Sequence, residues 1–208
     1  MTAGSSRRRA AATVAGVVLA GGRSRRMGAP KGLLTVEGTT FLERAVRVLA
    51  EGGCNPVVAV VPSGETGESL LPLAARAGAR GIVNPDPEGE QIDSLRCGLH
   101  ALDRDVPGAA VLPVDHPRVQ ADTVAALLAA FYDSSAPIVR PVRQGRPGHP
   151  VLFARGVWEE LEAPDLESGA RDVVHRHHAE IHEVPVDDPG IAIDLNTREE
   201  YAREMETA

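Results

Sequence analysis

Aromatic residues are scarce in this 208-residue chain: one Trp, two Tyr and three Phe, 3% of the sequence. Single-stranded nucleic acid is held largely by bases stacked on aromatic rings, so this scarcity argues against that class of ligand. Positive charge is also in deficit, with 22 Lys and Arg against 29 Asp and Glu and a formal net charge of −7. A general nucleic-acid binder needs a basic face, which this balance does not favour. Only two cysteines are present, Cys54 and Cys97, without paired spacing or metal-type neighbours. They read as reduced thiols of a cytoplasmic protein. No apolar run reaches the length needed to span a membrane.

What is abundant is glycine, 21 residues, and an apolar fraction of 43%. That is enough to build one domain with a substantial core. Arg7-Arg8-Arg9, followed by the alanine- and valine-rich stretch 10–20, has the outline of a signal peptide. The competing reading is a disordered tail over 1–13 and a core strand over 14–20. The second is preferred, because the apolar run leads straight into the most distinctive segment of the chain, which cleavage would discard. The domain is therefore expected to span 14–206.

That segment is Leu19-Ala-Gly-Gly-Arg-Ser-Arg-Arg-Met-Gly-Ala-Pro-Lys31. Two glycines at a strand end let backbone N–H groups approach an anion with no Cβ in the way. Arg23, Arg25, Arg26 and Lys31 can add charge-assisted hydrogen bonds to phosphate. The loop is not a Walker A site, which has four residues between its glycines and a Lys directly after the second. Here five residues separate Gly22 from Gly28, and Lys31 follows three positions later. Gly-x-Gly-x-x-Gly, the dinucleotide fingerprint, is absent as well.

Downstream, the pattern alternates strand and helix, the mark of an α/β sheet with mostly parallel strands. Strands are expected over 56–61, 81–84, 109–114, 137–142, 151–153 and 181–186. Helices are expected over 40–51, opened by a Thr40/Glu43 capping box, and over 69–77, 121–131, 157–161, 170–177 and 197–205. Another helix, capped by Asp93 or Ser94, runs to 102. Ligands of open α/β sheets gather at the carboxyl ends of the strands. The glycine loop falls there, and so does Asp115, directly after the apolar Val111-Leu-Pro-Val114. If the strands over 14–20 and 109–114 are neighbours, the loop and Asp115 face each other.

Leu19-Ala-Gly-Gly-x-Ser-x-Arg-Met-Gly-x-x-Lys31 resembles the signature of the MobA-like nucleotidyltransferases, and the resemblance extends from about 14 to 202. Ser94-Leu-Arg-x-Gly-Leu99 looks like the family's Ser-Leu-x-x-Gly-Leu helix start. Asp115-His-Pro117 is similar to its Asp-x-Pro metal site. Gly148-His-Pro-Val-Leu-Phe153 and Gly169-Ala-Arg171 are similar to segments on the acceptor side of the molybdenum cofactor cytidylyltransferase branch. Asp194-Leu-Asn-Thr197 resembles the closing Asp-Ile-Asp-Thr, with Asn196 where many relatives have a second Asp.

The resemblance implies a three-layer α/β/α, Rossmann-like nucleotidyltransferase fold of the glycosyltransferase-A type. It implies Mg2+-dependent transfer of CMP from CTP to a molybdopterin-type cofactor, with pyrophosphate released. Alternatives are GTP as donor, as Leu19-Ala-Gly-Gly22 and His116 suggest, another small phosphorylated acceptor, or a nucleotide-binding chaperone without turnover. Leu19, Ala20, Gly21, Gly22, Arg23, Ser24, Lys31, Asn84 and Ser94 are implied to bind nucleotide. Arg26, Lys31 and Asp115 are implied to be catalytic, Asp115 and Asp194 to hold the metal, and His149 and Arg171 to bind the acceptor. A transient contact with a molybdenum hydroxylase is implied; nucleic acid and membrane partners are not. Plainer roles remain open for several residues: a turn cap for Asp115, a turn former for Asn84, a helix cap for Ser94 and a turn histidine for His149. His175, His177, His178 and His182 read as a solvated helix end rather than a metal cluster.

Overall fold

In the computed structural model of this chain, residues 13–21, 29–86 and 89–206 are described. The first strand, β1 (Ala15–Leu19), is buried along its whole length. Its alternation splits the core into two layers. Val14, Val18 and Ala20 face one apolar cluster, while Ala15, Val17 and Leu19 face another. β4 (Val57–Pro62) and β6 (Gly108–Pro113) alternate in the same way. Helices on both faces of a sheet are the architecture that such two-sided strands require.

On one face lie α1 (Phe41–Glu51), α2 (Glu65–Ala77) and α4 (Ala121–Asp133), burying Phe41, Leu42, Leu49, Leu70, Val124 and Leu127. On the other lie α3 (Gln91–His100), α5 (Trp158–Leu161) and α6 (Ala170–Arg176), burying Leu95, Leu99, Trp158, Leu161 and Val173. Each fully buried aliphatic or aromatic side chain contributes about 1.5–3 kcal/mol. The close seat of α3 on β1 depends on Gly98, where a Cβ would stand 2.6 Å from Val17 Cγ1.

The remaining strands are β2 (Thr35–Val36), β3 (Thr39–Thr40), β5 (Arg80–Asn84), β7 (Ile138–Arg143), β8 (Arg146–Pro147), β9 (Val151–Ala154) and β10 (His182–Pro185). The large sheet has the order β10-β7-β9-β6-β1-β4-β5, with β8 paired to β7. Along that order β9 alone opposes its neighbours; the β1–β4, β1–β6, β4–β5 and β7–β10 pairs are parallel. The expected mostly parallel three-layer α/β fold is the one observed. β9 is reversed because residues 144–150 are too few for a crossover, which takes a dozen or more. After β5 the chain returns across β1 to form β6, so the strand order switches direction between β1 and β6, where such sheets bind ligands.

Several boundaries differ from those expected. α2 starts at Glu65 rather than 69, directly after Gly64, whose φ is +77°. Neither Asp93 nor Ser94 caps α3. The helix begins one turn earlier, with Glu90 as its cap and Asp93 returning the bond, Glu90 N–H donating to Asp93 Oδ2 at 2.8 Å. The β2–β3 and β7–β8 hairpins are additional. Both turn on pairs with positive φ, Glu37 (51°) with Gly38 (74°) and Gln144 (51°) with Gly145 (74°), the conformation that tight hairpins need. Thr13, placed in the expected tail, donates its hydroxyl to the Asn55 carbonyl; residues 1–12 lie outside the described ones.

Past β10 the chain crosses the carboxyl-end side of the sheet. Asp188, 2% exposed, fixes this segment. It accepts from Gln120 N (2.9 Å), Thr123 Oγ1 (2.8 Å) and Gly190 N (2.8 Å), tying the segment to the start of α4. Leu195 N then donates to the Asp115 carbonyl at 2.9 Å. The last helix, α7 (Arg198–Glu206), follows a reciprocal cap: Asn196 N and Thr197 N donate to Glu200 Oε2, and Glu200 N donates to Thr197 Oγ1.

Candidate active site

Two half-sites meet at the β1/β6 switch. The first is built on the end of β1. Leu19 and Ala20 are buried, and their backbones are held by the flanking strands: Ala20 N donates to Val60 O at 2.8 Å, and Leu19 O accepts from Val114 N at 3.0 Å. Gly21 follows, against α3. A Cβ on Gly21 would stand 2.5 Å from Ser94 Oγ, so only glycine lets the backbone pass this close. Ser94 and Asn84 are both buried, and Asn84 Nδ2 donates to Ser94 Oγ at 3.1 Å. Asn84 Oδ1 accepts from Asp86 N at 3.0 Å. The strand-end Asn84 is therefore both a turn former and the support of Ser94, whose hydroxyl keeps a proton to donate onward. Gly22, Arg23, Ser24 and Arg26 lie outside the described residues.

The second half-site is built on the end of β6. Asp115 Oδ2 accepts from Lys31 Nζ at 2.8 Å, across the crevice from the other end of the glycine loop. The same ammonium donates to Asn196 Oδ1 at 2.6 Å. Asn196 in turn donates through Nδ2 to Asp194 Oδ2. One amide thus links Lys31 to the second carboxylate. Lys31, Asp115, Asp194, Gly21, Asn84 and Ser94 all converge on the carboxyl edge of the sheet. Asp194 is exposed and Asp115 only half-buried, so solvent and a ligand can reach both.

The oxygen set suits a hard divalent cation. Magnesium takes one or two carboxylates and completes its shell with phosphate and water. One carboxylate and an amide carbonyl already hold a cation here, the Lys31 ammonium, and the amide holds the second carboxylate. No third His, Cys, Asp or Glu joins them among the described residues, so the protein supplies only part of such a shell.

Two histidines stack beside Asp115. His116 and His149 stack with ring centroids 4.5 Å apart and planes tilted by 33°. Burial pushes the His116 imidazole below its usual value, against the opposing pull of Asp115 and Asp194. Burial drives His149 down to about 4, assisted by His116 and Arg171 and opposed by Asp115. Both rings are therefore neutral near pH 7, and what they offer is hydrogen bonding and stacking rather than charge. The field of Arg171, exposed on the first turn of α6, reaches His149. His149 N donates to Ile191 O at 2.9 Å, which seats the Gly148-His149 turn on the Asp188-anchored segment.

Other candidates fall outside this cluster. His177 bonds Glu160 (2.7 Å) and Glu180 (3.1 Å), which raise its pKa. Cys54 is buried, and desolvation pushes its thiol up to about 12, which keeps it from acting as a thiolate. Asn196 and Asp188 were not assigned these bonds from the sequence. Asp188-Pro189-Gly190 carries a turn signal, but nothing local points to α4.

Residues 16–181 match the family model described as the MobA-like NTP transferase domain. Among curated relatives, a probable molybdenum cofactor guanylyltransferase of Opitutus terrae is 56% identical over 50 residues, 24% of this chain and 25% of that protein. One of the same description from Bacillus cytotoxicus is 28% identical over 197 residues, 91% of this chain and 95% of that protein. A 2-C-methyl-D-erythritol 4-phosphate cytidylyltransferase of Saccharopolyspora erythraea is 32% identical over 200 residues, 86% of this chain and 84% of that one. Among solved structures, Rv0371c of Mycobacterium tuberculosis superposes with a TM-score of 0.82 at 27% identity, covering 94% of this chain and 100% of that one. A structure of that protein in complex with manganese is similar as well, with a TM-score of 0.78 at 25% identity over 94% of this chain and 99% of that one.

Proposed function

The chain belongs to the MobA-like NTP transferase family, and from that premise we propose that it transfers CMP from CTP to a molybdopterin-type cofactor. The observation that carries this reading is the Lys31–Asp115 contact, which joins the glycine loop to the strand-end carboxylate. In the reaction an oxygen of the acceptor's terminal phosphate attacks the α-phosphorus of CTP. The α–β bridging bond breaks, its electron pair goes to the β-phosphate oxygen, and pyrophosphate leaves. Such transfer is mostly positioning and charge neutralisation. Gly21 and Gly22 bring backbone donors to the triphosphate, with Leu19 and Ala20 holding them in place. Asn84 and Ser94 bind the nucleotide beside Gly21, and Arg23 and Ser24 bind it as well. Lys31 and Arg26 neutralise charge developing on the α-phosphate and the departing pyrophosphate. Asp115 and Asp194 hold a divalent ion, most simply Mg2+, which supplies further charge neutralisation when bound; the manganese complex of the similar solved structure supports a divalent ion. His149 and Arg171 bind the acceptor.

A second reading is GTP as donor, favoured by the guanylyltransferase relatives and by Leu19-Ala-Gly-Gly22. The methylerythritol-phosphate relative favours CTP and raises a different small phosphate as acceptor. We read 14–206 as one nucleotidyltransferase domain, acting in the cytoplasm, where free Cys54 and Cys97 stay reduced, and handing its product to a molybdenum hydroxylase. The test is pyrophosphate release with each of the four nucleoside triphosphates, supplied with molybdopterin or with methylerythritol phosphate. CTP with molybdopterin is expected to lead. GTP leading moves the chain to the guanylyl branch, and tight nucleotide binding without pyrophosphate makes it a carrier.

A further inference from the structure

We infer that Lys31 and the divalent ion are rivals for the same carboxylate, so that Lys31 holds metal affinity low until a triphosphate draws its ammonium away. The inference rests on the reading of Asp115 as a metal ligand.

The argument begins with what Asp115 already satisfies. Its Oδ2 accepts a charge-assisted bond from Lys31 Nζ at 2.8 Å, and such bonds are the strong ones. Its Oδ1 lies 3.9 Å from His116 Nε2. The second carboxylate is tied to the same ammonium: Asn196 takes the Lys31 bond on Oδ1 at 2.6 Å and holds Asp194 Oδ2 with Nδ2. Lys31 thus occupies one of the two carboxylates directly and reaches the other through the Asn196 amide. A dication bonded to Asp115 Oδ2 would sit against a like charge within a few ångströms, and in a half-buried site that repulsion is large.

Lys31 is also built to leave. Its carbonyl accepts from Leu34 N at 3.0 Å, and the neighbouring Gly32 is buried. The backbone is pinned, and the movable part is the four-carbon stem with its rotatable ammonium. A triphosphate on the glycine loop offers that ammonium several anionic oxygens and vacates Asp115 for the ion. Metal and nucleotide then bind cooperatively. Linkage makes the effect mutual, so the factor by which nucleotide raises metal affinity is the factor by which metal raises nucleotide affinity. Asn196 gains a purpose here: a second Asp at that position would attract the ion without nucleotide, whereas an amide engages both Lys31 and Asp194 and adds no charge.

The test is Mn2+ binding to the full chain without nucleotide, read from loss of the free-ion EPR signal. K31M is expected to bind Mn2+ at least tenfold tighter than the wild type. K31Q is measured beside it, so that a folding defect in one variant does not decide the outcome. R171M, which removes a positive charge near His149, is expected to stay within threefold of the wild type. The double variant K31M/D115N is expected to lose the gain. Equal Mn2+ affinity in wild type, K31M and K31Q overturns the rivalry, as does a gain in R171M matching that of K31M. A gain that survives in K31M/D115N instead overturns Asp115 as the ligand.

Discussion

Adding one methyl group at Gly21 tests how the half-site at the end of β1 is assembled. The Cβ of Gly21→Ala would lie 2.5 Å from Ser94 Oγ, with Ser94 Cβ next at 3.6 Å. The first distance is far inside contact, so the Ser94 hydroxyl must rotate away. Rotation breaks the 3.1 Å bond from Asn84 Nδ2, and Asn84 is 4% exposed. A buried donor left without its acceptor costs about 1–3 kcal/mol, so G21A is expected to lower stability by about 2 kcal/mol and to raise the nucleotide KM several-fold. Ser94→Ala alone loses the same bond. In G21A/S94A the clash is gone, because the remaining neighbour at 3.6 Å is in ordinary contact. The double variant should therefore cost no more than S94A, a coupling of about 1–3 kcal/mol between two touching residues. Urea denaturation of the four proteins measures it, provided m stays constant. Additive losses would refute the account of Gly21 as the residue that makes room for Ser94.

Lys31→Ala is expected to cut turnover by more than tenfold with the fold intact, because its charge is aimed at charge that develops during reaction; steady-state kinetics beside circular dichroism decides this. Asp188→Ala leaves three donors unmatched, two of them buried, and should destabilise by about 2–4 kcal/mol in chemical denaturation. Acid should weaken the fold through His149. Its folded value is about 4 against an ordinary 6.5, so between those limits the unfolded chain binds the extra proton and stability falls as pH falls. The full loss is about 3 kcal/mol, measurable as a pH-dependent melting midpoint that flattens in His149→Asn.

Legibility in the sequence followed the range of the interactions. Local signals read correctly: Thr40 and Glu43 form the expected reciprocal cap, and the apolar runs over 14–20 and 109–114 form adjacent buried strands. That adjacency brings Asp115 to Lys31, as the pattern suggested. The start of α3 was misread because its cap is Glu90, a residue type that seldom caps, while Ser94 looks like a cap and is instead bonded to Asn84. Of the hairpin strands, β2, β3 and β8 have two residues each, too short for periodicity to register. Asn196 read only as a departure from the family's Asp. Its bond to Lys31 spans 165 positions, and no local pattern encodes a contact of that range.

The closing segment has a consequence for biogenesis. A ribosome must translate past Asn196 before Lys31 can meet the carboxamide that connects it to Asp194. That contact spans 165 positions, so it forms only after every strand of the sheet has been made. A chain clipped before Asn196 would lack the link between Lys31 and Asp194.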